Sequence, residues 1–125
     1  HVDDAREIAK CADPTLAFRF RSLHEAGGQL VFSSDWPVVE ADPLHAMLEA
    51  VRPDRSESVG VMTALEAVTS AAARMVQLPD PTIRVGGPAS FVALDEDPRE
   101  ALPKGRVPNI LATVRHGQVV YGDLP

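Results

Sequence analysis

The spacing of apolar positions predicts helices in the first part of the chain. Residues 2–10 have helical spacing, and a second helix begins at Asp13, followed by a proline in its first turn, and ends at Gly27. Residues 30–32 then form a short apolar run that is typical of a buried strand. A helix, a glycine turn and a strand in this order indicate part of an αβ repeat.

Two further helices are predicted after that strand. Asp42 precedes Pro43, which is the usual arrangement of a capping residue and a proline at a helix start. Thr63 and Glu66 have the spacing of a capping box, and an apolar stripe follows them as far as Val76. We therefore expect one helix after Asp42 and a longer one after Thr63.

The pattern changes after Leu78, where prolines and glycines become frequent. Residues 90–94 have the composition of a strand, and residues 110–121 predict a β-hairpin whose turn is His116-Gly117. The helical part and the strand part thus belong to different layers of structure.

Asp35 is the first candidate for chemistry. It follows the apolar run of residues 30–32 and precedes Trp36 and Pro37, which end the strand. In parallel α/β folds the carboxyl ends of the strands hold ligands and metals, so a carboxylate there is a candidate catalytic or metal-binding group. The alternative is structural, because an aspartate before such a turn often only binds its own backbone.

Composition excludes several classes of function. The net charge of −6 and the absence of a basic stripe argue against a nucleic-acid partner. No apolar run approaches the roughly 20 residues of a membrane helix, which argues against a membrane partner. A single cysteine, Cys11, excludes an internal disulfide and is compatible with a cytoplasmic protein.

Other reactive groups do not form a motif. The four histidines lie far apart without the spacing of a zinc site, and Cys11 has no neighbouring base in the sequence. The acids of residues 95–97 have no further ligand spacing, so a solvated turn is expected there. His45 lies just after the predicted cap at Asp42, near enough to Asp35 to reach the same cavity.

The sequence resembles the carboxyl-terminal part of the metal-dependent amidohydrolases, in the branch called amidohydrolase family 3 that contains the N-substituted formamide deformylases. The motif Ser34-Asp35-Trp36-Pro37-Val38 carries the most specific resemblance. The order of the similar blocks also fits, and these are residues 18–27, 31–38, 42–45, 64–73, 86–98 and 112–121. Ser33 departs from the pattern, because glycine is common there, and residues 87–90 depart from it as well.

The resemblance implies the α/β fold of a (β/α)8 barrel joined to a composite β-sandwich. Residues 1–78 would form the end of the barrel with its eighth strand, and residues 79–125 would form strands of the sandwich. It also implies that Asp35 binds a divalent metal, with zinc favoured, and accepts the proton of the attacking water. His1 resembles a histidine near the cavity mouth, and Trp36 and His45 are the other candidate contacts for an amide substrate.

A parallel barrel needs roughly 250 residues, which is more than this chain contains. His1 is not an initiator methionine, so we expect a missing amino-terminal barrel portion that supplies the other metal ligands. The isolated fragment is expected to be inactive and could form a homo-oligomer to cover its open strand. The alternative is a non-catalytic α+β binding module in which Asp35 fixes a turn.

Overall fold

The computed structural model describes residues 18–124, which form helices followed by a small antiparallel sheet. The helices are α1 (Phe20–Glu25), α2 (Pro43–Val51), α3 (Val61–Val68), α4 (Ser70–Met75) and α5 (Pro98–Ala101), and a 3₁₀ turn (Leu102–Lys104) follows α5. The strands are β1 (Phe91–Leu94), β2 (Ile110–Arg115) and β3 (Gln118–Gly122). The fold is therefore mixed α/β. The predicted helix over residues 2–10 and the predicted start at Asp13 lie outside the described residues.

Helix α2 begins where the sequence predicts. The Asp42 carboxylate accepts a hydrogen bond from the backbone N–H of Leu44 at 2.9 Å, and Pro43 occupies the first turn. Since a proline has no N–H to leave unsatisfied, it fits this position without loss. The predicted cap at Asp42 is confirmed.

The capping box predicted at Thr63 and Glu66 is wrong. Helix α3 already begins at Val61, with Gly60 as its cap residue, so Thr63 lies inside the helix. The single long helix is also wrong, because Thr69 has non-helical backbone angles and separates α3 from α4. The Thr69 hydroxyl donates a hydrogen bond to the carbonyl of Leu65 at 2.6 Å, which competes with regular helix bonding at this bend.

The strand predicted at residues 30–32 is absent from the described part of the chain. A strand needs a neighbour to complete its ladder of hydrogen bonds, and no described strand lies beside this segment. Its backbone is instead fixed by a hydrogen bond from the N–H of Phe32 to the carbonyl of Ala67, at 3.2 Å. The apolar pattern predicted burial correctly, because Leu30 and Phe32 pack against the core.

The predicted hairpin is confirmed. Strands β2 and β3 pair antiparallel, and His116 and Gly117 both have positive φ angles, as a two-residue type I′ turn requires. Strand β1 pairs with the other edge of β2, which gives the sheet order β1-β2-β3. A bulge between Thr113 and Val114 shifts the register of β3.

One hydrophobic core joins the helices to the region before the hairpin. Met47 of α2 and Leu102 of the 3₁₀ turn are its largest fully buried side chains. Ala64 of α3 completes the contact, and Leu94 and Val107 pack on its border. This core contains residues from both sides of position 78, and the division of the chain there stays a prediction.

The acidic residues before α5 each have a protein partner. Asp97 caps α5 by accepting a hydrogen bond from the backbone N–H of Arg99. Asp95 accepts two hydrogen bonds from Asn109, and Glu96 forms an ion pair with Arg106 at 2.7 Å. These acids therefore hold the loop between β1 and β2 together.

Among the described helices, none has the length and apolar character needed to cross a membrane.

Candidate functional site

Asp35 lies on an exposed turn of residues 35–38. The turn is closed by a hydrogen bond from the N–H of Val38 to the carbonyl of Asp35, at 2.9 Å. The backbone of Asp35 has a φ of 50°, a left-handed conformation that aspartate tolerates better than most residues. Its N–H donates to the Ser33 hydroxyl at 3.3 Å. No described residue donates a hydrogen bond to its carboxylate.

The segment before Asp35 is anchored by aromatic packing. The ring centroids of Phe20 and Phe32 are 5.2 Å apart, and those of Phe18 and Phe20 are 6.0 Å apart. Such pairs contribute about 0.5–1.5 kcal/mol beyond the area that they bury. Together with the hydrogen bond from Phe32 to Ala67, they fix where the chain leaves the core and becomes the exposed turn.

His45 is held by the cap of α2. Its Nδ1 lies 2.7 Å from the second carboxylate oxygen of Asp42, while the histidine side chain remains exposed. Partial burial raises the pKa of the Asp42 carboxyl, but the hydrogen bonds from His45 and from the N–H of Leu44 outweigh it, so the pKa lies below its usual value. The carboxylate at the start of α2 thus binds both the helix and His45.

The other two predicted contacts differ in how far the structure describes them. Trp36 lies on the same turn as Asp35, with its side chain exposed. His1 lies outside the described residues. The structure therefore brings Trp36 next to Asp35 and binds His45 to Asp42.

Two open cavities border the helices. A cavity of about 220 Å³ lies between the turn after α1 and helices α3 and α4, and it is lined by polar groups of His24, Gln29, Thr63 and Glu66 among others. A second, of about 470 Å³, lies between the end of α2 and the 3₁₀ turn. Asp35 and His45 line neither of them.

Sequence reasoning missed a polar contact that holds α1 in place. The backbone N–H and the hydroxyl of Ser22 donate to the two carboxylate oxygens of Glu57, at 2.9 and 2.8 Å. Arg21 also donates to the carbonyl of Ser58 at 3.0 Å. The backbone and side-chain hydrogen bonds from Ser22 hold the pKa of Glu57 below its usual value. No local pattern indicates a contact between residues so far apart in the sequence.

A model of the amidohydrolase family matches residues 5–121. The chain belongs to the amidohydrolase family. The protein LONG AFTER FAR-RED 3 of Arabidopsis thaliana is 31% identical to it over 135 aligned positions, which cover 96% of this chain and 23% of that relative. The chain thus spans about a quarter of the length of this curated relative. No solved structure matches the chain.

The described residues of this amidohydrolase chain do not by themselves fit a metal ion. Zinc in proteins is held by three or four nitrogen, sulfur or oxygen ligands. Within residues 18–124, no group of three or more histidine, cysteine, aspartate or glutamate side chains is placed to hold an ion. Asp35 offers one carboxylate that no described residue binds, so a complete centre would require ligands from outside residues 18–124.

Proposed function

We propose that this chain is the carboxyl-terminal part of a metal-dependent hydrolase that cleaves carbon–nitrogen bonds of non-peptide amides. Membership of the amidohydrolase family supports this proposal. The single observation that carries it is the exposed Asp35 carboxylate, which has no partner among residues 18–124 and stands at the end of an anchored apolar segment. In the proposed whole protein, the segment that begins at Leu30 forms the eighth strand of a (β/α)8 barrel, and this strand ends at Asp35. Strands β1 to β3 belong to a composite β-sandwich.

The anchoring of residues 30–32 supports the barrel proposal. Leu30 and Phe32 pack against the helices, while the backbone of this segment has a single described hydrogen bond to them, from Phe32. In a parallel barrel, each strand packs side chains against the outer helices and pairs its backbone groups with neighbouring strands. The segment of residues 30–32 makes the contact with helices and leaves its other backbone groups without a described partner. Neighbouring strands from the amino-terminal portion would complete the ladder.

Asp35 has two roles in the proposed reaction. One carboxylate oxygen would bind a divalent metal, with zinc as the favoured ion and the remaining ligands outside this chain. When bound, such an ion supplies an activated water near neutral pH and polarises the amide carbonyl. The carboxylate of Asp35 would accept the proton of the attacking water and return it to the leaving amine. His1, Trp36 and His45 are proposed as substrate contacts.

An Asp35→Asn substitution tests this role in the whole protein that contains the chain. We expect hydrolysis of a panel of N-acyl and N-formyl amines to fall by about 100-fold or more, since a positioned base contributes roughly this much. Bound zinc, measured by elemental analysis, should fall as well. Glu40→Gln is the matched control, because it removes another exposed acid from the same loop and should keep both properties.

Full activity and full metal content in Asp35→Asn would overturn the assignment of both roles. A second candidate function is a non-catalytic α+β binding module, favoured by the φ of 50° at Asp35 in the closed turn, because aspartate is one of the residues that tolerate this left-handed turn conformation. That candidate predicts no zinc and no turnover in the unmodified protein either.

A further inference from the structure

Helix α1 has no buried residue to hold it on the rest of the described fold. None of its six residues is buried, Phe20 is only partly buried against the core, and Leu23 is exposed. A helix of this length does not form by itself in water, since isolated helices shorter than about 12–15 residues are marginal. The position of α1 therefore depends on the contacts that it makes with other segments.

The loop between α2 and α3 supplies such contacts. The Glu57 carboxylate accepts hydrogen bonds from the N–H and the hydroxyl of Ser22, and the Glu57 carbonyl accepts one from the N–H of Arg21 at 3.1 Å. The Ser58 carbonyl accepts a further one from the Arg21 guanidinium. Hydrogen bonds to an ionised group are about twice as strong as those between neutral groups. We name these hydrogen bonds of Arg21 and Ser22 with Glu57 and Ser58 the α1 contact.

The helix held in this way carries a side chain that packs on the segment before Asp35. Phe20 is the first residue of α1 and precedes Arg21, so the α1 contact fixes the backbone that bears its ring. The ring centroids of Phe20 and Phe32 are 5.2 Å apart. The backbone N–H of Phe32 has its described hydrogen bond on the other side, with the carbonyl of Ala67. The Phe20 ring is thus one of the few anchors of a segment that reaches Asp35 three residues later.

We propose that Glu57 is a positioning residue for Asp35, acting through the α1 contact and the packing of Phe20 on Phe32. With the Glu57 carboxylate in place, α1 and the Phe20 ring keep one position, and so does the segment that ends at Asp35. Without it, both Ser22 donors lose their acceptor and the segment moves more freely. This inference rests on the proposed function for what Asp35 does. The coupling between α1 and the segment is a property of the fold and can be measured without a reaction.

Amide hydrogen exchange in the whole protein that contains the chain tests the coupling. Glu57→Gln removes the charge and replaces one acceptor oxygen by an amide donor. We expect residues 20–27 and 30–38 to exchange about 10-fold faster, since hydrogen bonds to charged groups contribute on this scale. Residues 44–51 of α2 should keep their rate. Glu96→Gln is the matched control, because Glu96 also accepts two hydrogen bonds, from Arg106, and should leave all three segments unchanged.

A milder pair of variants decides the same question if Glu57→Gln does not fold. Ser22→Ala removes only the hydroxyl from the α1 contact, so we expect the same pattern of exchange with a smaller increase. Ser56→Ala, which truncates an exposed serine of the same loop, should have no effect. Faster exchange confined to residues 20–27, equal acceleration of α2, or no change would each overturn the coupling.

Kinetics test whether the coupling matters for the reaction. In Glu57→Gln we expect kcat for N-acyl amine hydrolysis to fall by about 10-fold with little change in KM, because a misplacement of about 1 Å can cost about 100-fold. Ser22→Thr keeps the hydroxyl and should retain more activity than Ser22→Ala. A merely structural role would lower the unfolding temperature and leave kcat unchanged where both proteins are folded. Unchanged kcat together with faster exchange of residues 30–38 would overturn the positioning role.

The two proposals fail differently. If the exchange of residues 30–38 responds to Glu57→Gln but the unmodified protein hydrolyses no amide, the hydrolase proposal is wrong and the coupling remains. If amides are hydrolysed and Glu57→Gln changes neither the exchange nor kcat, the positioning role is wrong and the hydrolase proposal remains. If there is neither hydrolysis nor a change in exchange, both are wrong.

Discussion

Asp42 satisfies two groups with one carboxylate. One oxygen accepts from the N–H of Leu44, which would otherwise be an unpaired donor at the start of α2, and the other binds Nδ1 of His45. Because the helix start places positive charge near these donors, an ionised carboxylate is favoured there. The same contact directs His45, which is one of the proposed substrate contacts.

Replacing Asp42 separates these two contributions. Asp42→Ala removes the cap and should lower the free energy of unfolding by about 1 kcal/mol. Asp42→Asn keeps an oxygen acceptor for Leu44 but loses the charge that faces His45, so we expect a smaller loss. Urea unfolding of the two variants measures the difference. Equal losses would mean that the contact with His45 contributes more than the cap.

At the level of residues, sequence reasoning succeeded where the signal is local. Asp42 was predicted as a cap because it stands directly before Pro43, and the structure confirms it. Asp35 was selected from a short motif, and its role as ligand and base stays a prediction. The hydrogen bonds from Ser22 to Glu57 could not be predicted, because they join residues separated by 35 positions.

At the level of helices and strands, local sequence patterns predicted some elements correctly and others wrongly. The hairpin was predicted correctly because its turn has a steric requirement, namely two residues with positive φ, that His116-Gly117 meets. The capping box at Thr63 was wrong because helix α3 begins two residues earlier at Val61. The strand predicted at residues 30–32 is wrong for the described chain, because a strand needs a neighbouring strand and none of the described strands lies beside this segment.

The end of β3 lies very close to the backbone of β2 at Gly122. A Cβ atom added at Gly122 would overlap the Leu111 carbonyl oxygen, and the φ of Gly122 is +65°. Gly117 has a φ of +79° but open space around the same added atom. Both glycines therefore have a left-handed backbone conformation, but only Gly122 lacks the space for a side chain.

This pair gives a matched test of the sheet. Gly117→Ala should lower the free energy of unfolding by about 1–2 kcal/mol through the left-handed backbone alone. Gly122→Ala should lower it further, because the added methyl group collides with the Leu111 carbonyl and opens the pairing with β2. Thermal unfolding followed by circular dichroism compares them. A larger loss in Gly117→Ala would contradict this account of the close approach.

Carboxylates are the main titrating groups of the whole molecule. Among the described residues, hydrogen bonds to neighbouring donors lower the pKa of seven of them: Asp42, Asp54, Glu57, Asp80, Asp95, Glu96 and Asp97. Each is paired as an anion in the folded state. The net charge of −6 opposes this effect, since protonation relieves repulsion between the acids.

The direction of the shifts sets the dependence of stability on pH. A carboxyl whose pKa is lower in the folded than in the unfolded state stabilises the fold above its unfolded value, 3.8 for aspartate and 4.5 for glutamate here. That contribution is lost as the pH falls through the lower, folded value. We expect the urea midpoint to fall steadily below about pH 4.5, with a shallower fall in Glu57→Gln. A midpoint that rises on acidification would mean that repulsion dominates.

The sequence predicted the mixed α/β character of the molecule and its membership of the amidohydrolase family, and both are confirmed. The core could not be predicted, because Leu102 joins Met47 across a long stretch of chain with no local signal for it. The (β/α)8 barrel stays a prediction, since a barrel is closed by strands that this sequence does not contain.

The bend at Thr69 links the helices to the chemistry proposed for Asp35. The carbonyl of Ala67, two residues before the bend, is the acceptor that holds the N–H of Phe32. In a straight helix that oxygen would be occupied by the residue four positions later. If α3 and α4 were engineered into one continuous helix to raise stability, a helical N–H would compete with Phe32 for this oxygen. The segment that leads to Asp35 would then lose its hydrogen bond to the helices.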